Sequence, residues 1–125
     1  MNELMKLSQI IRSASTIYLM ADEIPNETAT LLPIQLIQDG KLYLGISSAK
    51  PLYPFLQENA PVTIVTSKEG NIMHYKGNIV FDKDDSVANL VLNNNIALQA
   101  IYGRGKKQEL KMFYLENASI HTHSI

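Results

Sequence analysis

The chain has 125 residues, 46% of them hydrophobic and 18% charged, with 11 Lys and Arg against 12 Asp and Glu for a net charge of −1, and it has no cysteine. This is the length of one domain with a real apolar core, and the composition excludes a disordered chain, a disulfide framework, a thiolate metal site and a cysteine nucleophile. The balanced charge predicts no nucleic-acid partner, the lack of an apolar run near 18 residues predicts no membrane span, and Met1 to Met20 lack a leader-like apolar block, which predicts a cytoplasmic protein.

Leu4, Leu7, Ile10 and Ile11 recur at helical spacing and predict an amphipathic helix over Met1 to Ala14. Ser15 to Ala21 is a strand, and Pro25-Asn26 marks the turn after it. Thr28 to Gln38 is β-prone but contains Pro33, which points to an edge, a bulge or an end of pairing. Asp39-Gly40 signals a hairpin, and Lys41 to Ser47 alternates, with Leu42, Leu44 and Ile46 on one face. Ser47 to Pro51 reads as a loop entering a short helix that runs to Asn59, with Pro51 at its first position.

Val62 to Ser67 and Ile72 to Phe81 form a second hairpin. Within it Met73 and Tyr75 share one face, His74 and Lys76 the other, and Gly77 marks a bulge or a close backbone approach. Asp82 to Asp85 are acidic caps for a helix from Ser86 to Tyr102, which the Asn93-Asn94-Asn95 run breaks in two. Gly103 to Lys107 is a basic loop, and Leu110 to Ser124 a last long strand. Mostly hairpin-like connections predict a mainly β fold with peripheral helices, an antiparallel six-stranded barrel forming one domain over 1–125.

The stretch Ser47-Ser48-Ala49-Lys50-Pro51 is the best candidate for chemistry. Two hydroxyls and an ammonium at the start of a helix, where N–H groups are unpaired and the dipole is positive, make a phosphate cradle. The plain alternative is that Ser48 caps the helix and Lys50 faces water. His74 and Lys76 either approach an anionic ligand or form the wet side of a half-buried strand. His121 and His123 share one strand face at a spacing metal sites use, but no third ligand is evident, and no metal is expected. The Arg104-Gly105-Lys106-Lys107 run is a solvated loop or a contact to a negatively charged ligand. No nucleophile elbow, Rossmann or P-loop pattern occurs.

The order of these segments resembles the pyridoxamine 5′-phosphate oxidase-like family of FMN-binding split barrels. An opening helix precedes Ile17-Tyr18-Leu19-Met20-Ala21 and the Pro-containing Thr30-Leu31-Leu32-Pro33-Ile34. Asp39-Gly40-Lys41-Leu42-Tyr43-Leu44 then leads to Ser47-Ser48-Ala49-Lys50-Pro51, followed by Leu56-Gln57-Glu58-Asn59-Ala60-Pro61-Val62. His74-Tyr75-Lys76-Gly77-Asn78-Ile79-Val80-Phe81 and Met112-Phe113-Tyr114-Leu115-Glu116-Asn117-Ala118 complete the resemblance, which spans Thr16 to Ser124. It implies a homodimeric split barrel holding FMN in a cleft between subunits. Ser47, Ser48 and Lys50 would hold the phosphate, Leu31, Leu32 and Pro33 would run along the isoalloxazine, and His74 would stand nearby.

Leu32 occupies a place where family members often carry arginine, and His74 one where they often carry a basic residue. Both departures remove charge that would grip a flavin. Two functions follow. One is a flavin-binding protein acting as an FMN-dependent oxidoreductase, with substrate and catalytic residues unassigned. The other is a non-catalytic homodimer of the same fold that has lost the cofactor or holds another small ligand, phosphate-bearing or tetrapyrrole. The dimer has its own motive, because Leu31, Leu32, Ile34 and Leu36 supply more apolar surface than a small barrel buries alone.

Overall fold

The computed structural model describes residues 3–14, 16–24, 27–68, 70–102 and 107–124. The expected turn at Pro25-Asn26 and the Arg104 to Lys106 part of the basic loop lie outside these residues. Helix α1 (Glu3–Ser13) is followed by β1 (Ile17–Ala21), β2 (Thr28–Thr30), β3 (Leu32–Gln38), β4 (Lys41–Ser47), β5 (Pro61–Lys68) and β6 (Asn71–Phe81). Helices α2 (Ser86–Asn93) and α3 (Ile96–Tyr102) precede the last strand, β7 (Leu110–Ser124). The Asn run divides the helical segment as predicted, and the side-chain oxygen of Asn95 accepts the Leu98 N–H at 3.1 Å to start α3.

All strand pairs are antiparallel, in the order β2-β1-β5-β6-β7-β4-β3. The two outer strands of that order, β2 and β3, are successive pieces of one extended run. The run pairs with β1 through Thr28–Thr30 and with β4 from Leu32 onward, so it curls the sheet into the expected antiparallel split barrel. The chain changes partner at Leu31, whose N–H still reaches the Ile17 carbonyl at 2.8 Å. This is why seven strands are present where six were expected: the segment read as one strand serves both edges. Pro33 lies where the β3–β4 register shifts, between Leu32 and Gln35, so the proline sits in a bulge of the outer strand rather than at the break.

Hairpin chemistry follows the sequence closely. Asp39 and Gly40 have φ of 54° and 73°, and Gln38 pairs with Lys41, which makes a two-residue turn with both central residues left-handed. Leu19, Ile46, Val62, Ile64, Ile79 and Phe113 are wholly enclosed in the barrel, and α1 adds Leu7 and Ile11 to the same core. Ser8 fixes that helix to β3, its hydroxyl donating to the Gln35 side chain at 2.8 Å while the Gln35 amide donates to the Ser8 carbonyl at 3.1 Å.

A second apolar cluster, Val87, Ala88, Leu110 and Met112, lies under α2, and Leu32, Ile34 and Leu36 pack against it. Leu31 is buried in the main core. Of the four residues expected to carry surplus apolar surface, Leu31 is enclosed, while Leu32, Ile34 and Leu36 stay half-buried. Ile37, the next residue on β3, is exposed, as are Tyr18 and Met20 on β1, Phe55, and Leu90, Ile96 and Ile101 on the helices.

One expected element is absent. In place of a helix to Asn59 there is a single 3₁₀ turn, Tyr53–Phe55, with Leu52 at its start and no side-chain cap. Pro51 and Pro54 remove two N–H donors within four residues, so i→i+3 bonds are the most the segment sustains. Phe55 N–H to Leu52 O at 3.0 Å and Leu56 N–H to Tyr53 O at 3.1 Å are those bonds. Asn59, with φ of 65°, closes the segment, and its N–H meets the Ile79 carbonyl at 2.8 Å.

Candidate functional site

Ser47 ends β4 opposite Leu110, and Leu32 pairs with Gly45 two residues earlier. The topology thus gathers Leu31, Leu32, Ser47, Ser48 and Lys50, together with the backbone of Pro33, at one edge of the barrel. The first three come from the partner-changing run and its neighbour, so the sheet's closure builds this edge.

The cradle expected there differs in its donors. Ser47 is buried, and its hydroxyl donates to Gln108 Oε1 at 3.0 Å while accepting the Ala49 N–H at 3.2 Å. The Ser48 N–H donates to the Glu109 carbonyl at 2.9 Å, and the Lys50 N–H to the Ser47 carbonyl at 3.1 Å. The backbone amides of residues 48–50 are therefore committed within the chain, and no α-helix begins here to add its dipole. This corrects the helix-end reading: the strand end is held by the Gln108–Glu109 segment, and its amides do not face a ligand. Two donors stay available. Ser48 Oγ accepts the Glu109 N–H at 2.8 Å and retains its own proton to give. Lys50 is half-buried, and its ammonium forms no ion pair among the described residues. One hydroxyl proton and one ammonium thus stay uncommitted at this edge. Lys107, exposed and next to Gln108 in the chain, adds positive charge from the basic loop.

The neighbouring cleft has the opposite character. About 440 Å³ in volume, it is lined by Asp84, Asp85, Glu109, Tyr102 and Lys111 among others. Lys111 lies 3.1 Å from the Glu109 carboxylate and 3.7 Å from that of Asp85. Burial pulls the Lys111 ammonium down, but the Glu109 hydrogen bond and the Asp85 charge outweigh it, and its pKa is raised. This cation is neutralised by its own neighbours, whereas the Lys50 ammonium has no ion-pair partner among the described residues.

His74 is not part of this edge. It pairs with His121, eleven residues along β7 from the Leu110 that faces Ser47. At roughly 3.3 Å per residue that separation is about 36 Å measured along the strand. Within one chain the structure therefore does not bring His74 to Ser48 and Lys50, and a ligand touching both needs two chains. Met73 and Tyr75 point into the barrel and Lys76 outward, as the alternation predicted. Sequence reasoning missed Gln108 and Glu109, whose only signal was their place just before the last strand.

Comparison with known proteins bears on the fold. The chain matches no protein-family model, and no curated protein is similar to it in sequence. Among solved structures it is similar to a NimC/NimA family protein from Clostridium acetobutylicum, with a TM-score of 0.79, 17% identity, and coverage of 99% of this chain and 89% of that one. It is also similar to the general stress FMN/FAD binding protein of Xanthomonas citri, with a TM-score of 0.64, 18% identity and coverage of 93% and 85%. General Stress Protein 26 from Bacillus anthracis matches with a TM-score of 0.64, 16% identity and coverage of 98% and 94%. These likenesses establish the split-barrel fold, one whose solved members include a protein named for binding FMN or FAD. No helix among the described residues is long and apolar enough to cross a membrane.

Proposed function

We propose that this protein binds a flavin, FMN in preference to FAD, and works as a homodimeric flavin-dependent oxidoreductase. The observation that carries the reading is the convergence of Leu31 and Leu32 with Ser48 and Lys50 at one barrel edge, in a fold shared with a flavin-binding protein. Ser48 Oγ–H and the Lys50 ammonium hold the phosphate, and the extended backbone of residues 31–33 offers peptide groups along the ring. When bound, the flavin supplies the electron chemistry, and the chain supplies position and charge. The separation of His74 from Lys50 supports two-chain assembly, since only a second chain can bring a His74 to this flavin.

The test is titration of the purified protein with FMN, riboflavin and FAD, followed by visible absorbance and flavin fluorescence. FMN should bind more tightly than riboflavin because of its phosphate. Lys50→Ala should weaken FMN by about 10- to 100-fold, the worth of a charged hydrogen bond, and leave riboflavin unchanged. Equal affinities for FMN and riboflavin, or no binding of either, reject the reading.

One observation favours the second reading, a barrel dimer without flavin. Leu32, in the place where arginine would grip the cofactor, is packed into the apolar cluster beneath α2. A dimeric mass at micromolar concentration in protein that binds no flavin would establish that form; a monomeric mass would remove the dimer from both readings.

A further inference from the structure

All three histidines of the chain stand on one face of the β6–β7 ladder. His74 on β6 is directly opposite His121 on β7, and His123 is the next residue on that face of β7. The rings of His74 and His123 are 5.4 Å apart between centroids, edge to face at 66°. His74 is half-buried, whereas His121 and His123 are exposed.

A bulge creates this alignment. Lys76 pairs with Ser119 but Asn78 with Glu116, so β7 advances three residues while β6 advances two. Asn117, with φ of 52°, takes up the extra residue opposite Gly77. Leu115 and Ile79, paired before the bulge, face the core. A strand without the bulge would continue that parity and turn residues 121 and 123 inward. The inserted residue reverses it and sets both histidines outward beside His74.

We propose that His74, His121 and His123 bind a divalent late transition metal, with Zn2+ the ion the ligands suit best. Three neutral imidazoles with no thiolate and no carboxylate are a borderline-soft donor set suited to Zn2+. Tetrahedral coordination with Zn–N bonds of about 2.0–2.1 Å requires donor nitrogens about 3.3 Å apart. Directly opposed Cβ atoms on a ladder are roughly 5 Å apart, and imidazoles of that separation converge by side-chain rotation alone. As they stand, no three His, Cys, Asp or Glu side chains among the described residues are arranged to hold a metal ion, so the proposed site requires the rings to turn from their present places. Two of the three are exposed, and the ring contact between His123 and His74 is the packing at stake when they turn. His74, held against β5 beside Val65, is the fixed member. Lys76 lies on the same face as a like charge, and its length lets the ammonium turn to water. The fourth position is left to solvent, because no further carboxylate, thiol or imidazole completes a metal cluster among the described residues.

The test uses the intact chain, with Zn2+ titrated calorimetrically and Co2+ followed by visible absorbance. One ion per chain is expected, with an intense Co2+ spectrum of tetrahedral type. His74→Gln, His121→Ala and His123→Ala should each weaken Zn2+ by at least about 10-fold, since losing a ligand costs no less than losing a group that orients one. Circular dichroism of each variant confirms folding, and two exposed positions keep the test open if the half-buried one does not fold. A His74→Gln variant that folds and binds Zn2+ as the parent does overturns the proposal, because binding is then by the exposed pair alone. So does an octahedral Co2+ spectrum. The proposal does not depend on flavin: FMN affinity of His121→Ala, unchanged while Zn2+ is lost, separates the two.

Discussion

The two halves of β7 are one strand by hydrogen bonding and two different objects by burial. From Leu110 to Leu115 the strand pairs with β4 and β6, and Leu110, Met112, Phe113 and Leu115 are buried. From Glu116 to His123 every residue is exposed, and among the described residues the only strand paired with them is β6. Strand propensity does not separate the halves; neighbours do. The first half lies between two strands and is buried, while the second is an exposed edge running beside the core residues Met73 and Tyr75 of β6. The bulge at Asn117 is the boundary, and it reverses which side chains face out.

The comparison can be broken most sharply at Phe113. That ring is wholly buried, 5.9 Å from the ring of Phe81. Phe113→Ala should cost about 3–5 kcal/mol in urea denaturation, against under about 0.5 kcal/mol for His121→Ala. Comparable losses would mean the outer half is structural too. Gly77→Ala probes the boundary. A Cβ there would lie 2.8 Å from the Glu116 carbonyl oxygen and 2.9 Å from Leu115 Cβ. A backbone carbonyl in a ladder does not yield cheaply, so a loss of about 1–3 kcal/mol is expected from thermal unfolding. An unchanged melting temperature would show the bulge to be soft.

The smallest expected effect concerns the inner half alone. The Asp82 N–H bonds the Met112 carbonyl at 2.9 Å, and its carboxylate accepts the Val87 N–H at 2.7 Å to start α2. Burial raises the Asp82 pKa above its ordinary 3.8, the Val87 N–H opposes this, and Asp84 and Asp85 add to the rise. A raised folded-state pKa means the protonated acid favours the fold. Its contribution is complete below 3.8 and is lost as pH climbs through the raised value. Asp82→Asn, which keeps an oxygen for Val87, should flatten this acid-side decline in melting temperature. His121→Ala should leave that limb of the profile as it is, and an identical limb in Asp82→Asn would assign it to other carboxylates.

How much was legible follows from the range of each signal. Asp39-Gly40 and the Asn93 to Asn95 break are local backbone requirements, written in the residues that meet them. Gly77 was legible as a close approach or a bulge, but the extra residue is Asn117, on the strand opposite. The helix expected before Asn59 failed because two prolines were weighed singly as tolerable, while together they limit the segment to 3₁₀ bonding. The phosphate cradle differs in its donors for another reason. Ser47 and Ser48 look equally free in sequence, but Gln108, sixty-one positions from Ser47, takes the Ser47 proton, while the Glu109 N–H donates to Ser48 Oγ and leaves that hydroxyl its proton, and nothing local signals Gln108 or Glu109. Likewise His121 and His123 were visible as a pair, and the third histidine was visible as a residue, but their meeting depends on a register offset.

By itself the sequence determined the alternation of strands and turns, the apolar faces of the barrel and the residue types gathered at its edge, because these follow from periodicity and from φ restrictions within a few residues. Only the tertiary structure decided which strand changes partner at Leu31, what takes up the amides of residues 48–50 and on which side of the sheet β7 presents its histidines. Those are outcomes of pairing between distant segments, and one inserted residue or one long-range hydrogen bond reverses them without altering the local pattern.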